Sequence, residues 1–452
     1  MDFLGKIGYT EIRKRLRKRF YHYSQKLYRV NPYFIKAFQS LAVSQECSLK
    51  LTTDASVALE HVKHLSVDIG SRPIGSPANL AAADYIHGVF RKSGLSVEEQ
   101  EIACPDWVAE QTILELNGEA LEASANTFSH SCNISAEIIP VCTPAELELA
   151  PITGNIPVFY GDMAQTELAT KGGIYVSDRD RRIIQLLEER KPAGIITINP
   201  TLHARWRLIE DFDLDIPSVT VSARSGLKLL KNLGSTVQMR IVTRRSPSHT
   251  SNVVGRLQGE IPDRIVFCAH YDSKVDTPGA YDNAAGVGCL LALAEILSQR
   301  KHRHTLEFVA FTGEEGAGLG DMEYARKASR AGHGFDQVTA AINIDGVGPY
   351  TGTTTVACFS ASSAFETLIM EKLKNYPGIL RVEPWPASDH YIFYSNGAPS
   401  IALTSKGLRD VYHTLSDTIE WISGEKLAES IQFVLDLMEV LDNKDRMWSR
   451  PQ

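Results

Sequence analysis

From about Ser251 to Asp442 short apolar runs alternate with amphipathic stretches, and this alternation restricts the fold more than any other property of the chain. RIVFCAH, TLEFVAFT, TAAINID, TTTVACF and APSIALTS read as strands. NAAGVGCLLALAEILSQ, the stretch around Gly320 to Ala331, SSAFETLIMEKLKN and GEKLAESIQFVLDLMEVL read as the helices between them. Strands that alternate with helices predict an α/β fold: a mainly parallel mixed sheet flanked by helices on both faces. In such sheets reactive side chains collect beyond the carboxyl ends of the strands.

At 452 residues the chain is too long for one ordinary core. Four segments are expected: a basic helical leader at 1–50, a first part of the main domain at 51–117, a smaller β-rich inserted domain at 118–250, and the main part at 251–452. The leader interleaves Arg13, Lys14, Arg15, Arg17, Lys18 and Arg19 with Phe20, Tyr21, Tyr23, Leu27 and Tyr28. A membrane-surface or partner helix would look like this. A solvated helix with one face on the main body is the plainer reading, because FIKAFQSLAV supplies packing. In 51–117, Val57, Leu59, Val62 and Leu65 begin a helical pattern. Ser76 then reads as an N-cap, Pro77 as the first helical residue and Gly94 as the stop, before a strand at LSVEEQEI. The insert reads as strands at IPVFYG, GGIYVSD and AGIITINP and a helix at RRIIQLLEERK, with no acid–histidine cluster.

Composition narrows the function classes. A net charge of -7 argues against a general nucleic-acid binder. Seven scattered cysteines without a CxxC pair argue against a disulfide scaffold and against thiolate zinc ligation. No run reads as a transmembrane segment, and the N-terminus lacks a signal peptide, so a cytoplasmic location is expected. Oligomeric state is left open.

The chemistry concentrates in HYDS, PGAYDNAAG, FTGEEGAG, NIDGVG and YHTLSDT. These carry His270, Asp282, Glu315, Asp345 and His413, and imidazole with carboxylate is the usual donor set of a catalytic zinc site. Two ions about 3.5–4 Å apart need a bridging carboxylate. Asp282 suits that role, because it enters a helix from a Gly-rich turn. One terminal histidine and one terminal acid per ion would complete the site: His270 and Asp345 could serve one ion, Glu315 and His413 the other. Glu314, adjacent to Glu315, diverges from that ion and is free to act as a base. Asp272, two residues beyond His270, shares its strand face and is placed to orient it. Each motif alone has a structural reading, as a cap, a solvated acid pair or a buried histidine; together, in this order and with His270, Glu314, Glu315 and Asp345 at or just past three strand ends, they favour a metal site.

These residues resemble peptidase family M28, the co-catalytic zinc aminopeptidases, over roughly Leu65 to Leu441. The resemblance implies two zinc ions, a peptide substrate, and hydrolysis at a free N-terminus. It implies His270 and Asp345 as terminal ligands of one zinc and Glu315 and His413 of the other. Asp282 would be the bridge, Glu314 the general base and Asp272 the carboxylate behind His270. Tyr412 resembles a tyrosine that polarises the scissile carbonyl in some members. AGIITINP and IPSVTVSARSGLKLL are similar to a protease-associated domain. Tyr281 stands where the bridging turn of other members often carries an acid or polar residue. A carboxypeptidase or dipeptidase of the same fold is the alternative, with Arg205, Arg207 and Arg381 as grips for a carboxylate, although each reads as a surface charge. A non-catalytic binding protein would be expected to have lost ligands.

Overall fold

The described residues form fourteen strands in one continuous hydrogen-bonded system. They are β1 (Ser96–Leu116), β2 (Glu119–Leu121), β3 (Ala123–Ala125), β4 (Cys132–Val141), β5 (Ile156–Phe159), β6 (Ile195–Ile198), β7 (Ser218–Val221), β8 (Thr236–Leu257), β9 (Ile261–His270), β10 (His304–Phe311), β11 (Val338–Ile344), β12 (Thr353–Phe359), β13 (Ile379–Arg381) and β14 (Ser400–Lys406). The longer helices labelled here are α1 (Pro77–Lys92), α2 (Asp178–Arg190), α3 (Ala223–Leu230), α4 (Ala285–Leu297), α5 (Leu319–Arg330), α6 (Ser363–Leu373) and α7 (Gly424–Leu441). This computed structural model describes residues 55–451, apart from 175, 202–206, 331–333 and 409. The basic leader, Cys47 and Arg205 therefore lie outside the described residues.

Along the sheet the order is β13-β12-β14-β11-β9-β10-β8-β4-β5-β6-β7-β3. The centre, β14-β11-β9-β10, is parallel, whereas β12 and β8 flank it antiparallel. On β9, Ile265, Phe267 and Ala269 join one core, while Val266 and Cys268 join the core on the opposite face. Burial on both sides is why this strand reads as a continuous apolar run. The Ser76 hydroxyl caps α1 by accepting from Asn79 N, with Pro77 in the first turn. The stretch Ala280–Leu297 is apolar and long enough to cross a membrane by length and composition, which corrects the reading that no run is; 83% of it is buried inside the fold. It is the core helix under the sheet.

Two strands connect the halves of the sheet. β1 and β8 pair antiparallel from Ser96↔Arg256 to Leu116↔Val237, with one irregularity between Ala109 and Gln111. The upper part of β8 pairs with β10, and its lower part with β4. β4 to β7 form a parallel array with apolar cores on both faces, one of them under Ile183 and Leu187 of α2. GGIYVSD is not a strand among its described residues. Gly173 N closes a turn on Thr170 O at 2.9 Å, and Ile174 N donates to Ala317 O instead of to a neighbouring strand.

Small residues at the start of α4 bring it against β11. A methyl group on Gly286 would overlap Ile344 O and the Asn283 side-chain amide. Gly286→Ala is expected to destabilise the fold by about 1–3 kcal/mol, as overpacking does. Urea unfolding checks this, and an unchanged midpoint would contradict the close approach.

Candidate metal centre

Loops beyond the carboxyl ends of the parallel strands carry the candidate ligands to one place. His270 is the last residue of β9, Asp345 follows β11, and Glu314 and Glu315 lie in the loop between β10 and α5. Asp282 sits just ahead of α4, and its peptide bond to Asn283 is cis. His413 comes from the loop after β14 with a left-handed backbone (φ 59°), a conformation that fixes its direction at some cost.

Ligand atoms of His270, Asp282 and Asp345 lie within 4.8 Å of one another, as do those of Asp282, Glu315 and His413. Asp282 divides its carboxylate between the groups: Oδ1 is 3.1 Å from His270 Nε2, and Oδ2 is 3.2 Å from His413 Nε2. Asp345 Oδ1 is 3.4 Å from His270 Nε2, and Glu315 Oε2 is 3.3 Å from His413 Nε2. The buried Glu315 Oε1 has no hydrogen-bond partner. Two histidines, three carboxylates and an orphaned oxygen fit a pair of divalent cations by donor chemistry.

The electrostatics follow from crowding. Burial opposes the charged imidazole of His270, but Asp345, Asp272 and Asp282 outweigh it and hold the group well above its ordinary value. His413 is raised in the same way, against burial, by Glu315, Glu167 and Asp282. Burial pushes Glu314 well above the usual carboxylate range; His270 opposes this, while Glu315, Asp345 and Asp282 add to it. Groups that hold protons in this way mark sites built for cations.

A ring of supporting residues holds these loops. The buried Asp272 places Oδ1 3.6 Å from His270 Nδ1 and accepts from Glu314 N at 3.3 Å and Glu315 N at 3.2 Å. It thus faces the histidine and also anchors the glutamate loop. Asp417 accepts from Tyr281 N at 2.7 Å and Asp282 N at 3.0 Å. Arg72, fully buried, donates to Tyr271 O (2.5 Å), Pro278 O (2.6 Å) and Gly279 O (2.7 Å), clasping both ends of the loop that leads to Asp282. Neither Arg72 nor Asp417 was singled out from sequence, although each lies in a motif (GSRPIG, YHTLSDT) close to the chemistry.

Two acids from the segment 118–250 also reach the centre, where they meet a histidine and a lysine from outside that segment. His413 Nδ1 donates to Glu167 Oε1 at 3.1 Å. Lys274 Nζ lies 3.1 Å from Glu167 Oε2, 2.5 Å from Glu210 Oε2 and 3.4 Å from Glu315 Oε2. No local pattern marks these acids, because Glu167 and His413 are 246 positions apart.

An open cleft of about 770 Å³ borders the cluster, lined by Asp282, Glu314, Asp345, Arg381, Lys406 and Tyr412 among others. The Tyr412 ring stands 4.6 Å from that of His413. Tyr281 turns its hydroxyl to Ser405 O at 3.1 Å. Arg207 is not the surface charge expected. Its side chain is only 16% exposed, pairs with Asp276, and donates to Ala125 O and Val275 O at 2.9 Å each, because a planar fork suits several acceptors at once.

Fold and cluster together place a candidate site for two cations on an α/β fold. Residues 252–438 match the model of peptidase family M28. The probable lipoprotein aminopeptidase LpqL of Mycobacterium tuberculosis is 25% identical over 290 residues, 60% of this chain and 54% of the relative. This chain thus spans about half the length of that relative. Aminopeptidase YwaD of Bacillus subtilis is 22% identical over 406 residues, covering 84% of this chain and 83% of its own. The peptidase M28 precursor structure from Shewanella amazonensis superposes with a TM-score of 0.73 at 21% identity, over 89% of this chain and 97% of its own, a likeness of fold.

Proposed function

We propose that the chain is a zinc-dependent exopeptidase, an aminopeptidase that removes N-terminal residues from peptides. The observation that carries this reading is the pair of ligand triads sharing Asp282 at the edge of an open cleft. His270 and Asp345 would hold one zinc, Glu315 and His413 the other, and Asp282 would join them. Zinc bound there supplies Lewis acidity, polarising a carbonyl and making water ionise near neutral pH. Glu314 takes the proton of the attacking water and returns it to the leaving amine. Asp272 orients His270, and Tyr412, in the cleft beside His413, is the candidate donor to the scissile carbonyl oxygen. The inserted segment, 118–250, shapes access to the cleft. Relatives named as aminopeptidases support this reading.

The expected result is two zinc ions per chain together with release of free amino acids from unblocked peptides. Metal analysis combined with an N-terminal release assay checks both; a chain holding no zinc, or one blind to a free N-terminus, would overturn the proposal. A dipeptidase or carboxypeptidase reading draws on Arg381 and Lys406, which line the same cleft and have no ion pair among the described residues. N-acetylated dipeptides cleaved faster than aminoacyl substrates would favour it.

A further inference from the structure

We infer that Glu167, supplied by the segment between β5 and α2, is the positioning residue of His413, so that the insert completes one half of the metal centre. This rests on the two-zinc reading above.

The two histidines of the cluster are supported differently. His270 has Asp272 two residues away on its own strand end. Among the described residues no acid of its own loop lies at the rear nitrogen of His413, and Nδ1 donates instead to Glu167 Oε1 at 3.1 Å. An imidazole that donates from Nδ1 to a carboxylate keeps its Nε2 lone pair for a metal and cannot rotate away. That Nε2 faces Asp282 and Glu315.

Glu167 is itself held. Leu168 N donates to Leu208 O at 2.9 Å, and Leu168 and Thr127 bridge to Ile209 and Glu210. Glu210 then meets Thr127 Oγ1 through Oε1 at 2.5 Å and Lys274 through Oε2. Lys274 returns to Glu167 Oε2 and to Glu315, closing a ring from His413 through Glu167 and Lys274 back to the carboxylate that His413 faces.

A carboxylate behind a ligand histidine contributes about 10–100-fold in metal affinity. In the full chain, Glu167→Gln is therefore expected to weaken one zinc by about that factor and leave the other unchanged. Competition with a chromophoric zinc chelator measures both constants, and the visible spectrum of the cobalt-loaded protein reads the changed ligand field directly. Glu210→Gln, which touches Lys274 but not His413, should have a smaller effect on both readouts. Equal zinc constants and an unchanged cobalt spectrum in Glu167→Gln would overturn the inference. So would a rise in KM with zinc affinity intact, which would make Glu167 a substrate contact, or equal weakening of both ions. A wild-type chain that binds no zinc would instead remove the metal reading itself.

Discussion

Replacing Glu314 by glutamine is expected to lower kcat by about 10²–10⁴-fold while zinc content stays at the wild-type level, the range in which a positioned general base acts. Glu314 borders the cleft but belongs to neither ligand triad. Its backbone amide is fixed by Asp272, so its side chain is aimed by the same carboxylate that faces His270. Glutamine keeps the volume and most of the hydrogen bonding but cannot take a proton. Turnover with an unblocked aminoacyl substrate, measured beside metal content, separates the outcomes. A variant within tenfold of wild type would remove Glu314 from proton transfer; one that loses zinc would make it a ligand.

The second large effect is expected at Arg72, which touches neither triad. Burial lowers its guanidinium to about 10, against the pull of Asp417, Asp272, Asp282 and Glu315, and it remains charged. Arg72→Met would leave the carbonyls of Tyr271, Pro278 and Gly279 without this donor and remove the positive charge among four carboxylates. The expected cost is about 3–5 kcal/mol, the range for breaking a buried charged network, with weaker zinc binding because Asp282 follows directly on this loop. Arg72→Lys should recover only a minor part, since one ammonium cannot reach acceptors spread around a planar fork. Urea unfolding gives the first quantity and chelator competition the second. A loss below about 1 kcal/mol would show that the loop is held by other contacts.

Legibility in the sequence tracked locality. The central strands and helices were readable because each is buried along its own length. His270, Asp282, Glu314, Glu315, Asp345 and His413 were readable as a group because parallel strands deliver their ends to one edge, and the structure brings all six there. The two long strands were read only in pieces. Pro105 and Pro247 stand opposite each other within them, and proline ordinarily argues against a strand interior. The polar run TRRSPSHTSN further hid the continuity of β8. Glu167, Glu210 and Lys274 could not be read at all, since an isolated glutamate acquires a role only when tertiary folding puts a histidine or lysine beside it. GGIYVSD failed for the converse reason: its apolar residues had strand character, but a glycine turn and the contact with Ala317 left no neighbouring strand to pair with.

The long β1–β8 ladder, irregular only between Ala109 and Gln111, has a mechanical consequence. A segment joined to the main sheet by flexible linkers could swing clear of the cleft at little cost. Here β1 and β8 run from one half of the sheet into the other, so the strands β4 to β7 are carried on a hydrogen-bonded ribbon, and lifting them would mean bending or tearing it. Twist about its one irregularity, at Ala109–Gln111, is the softer motion. Motion of this segment relative to the cleft is thus expected to be torsional, and any such twist is felt at the Glu167–His413 contact.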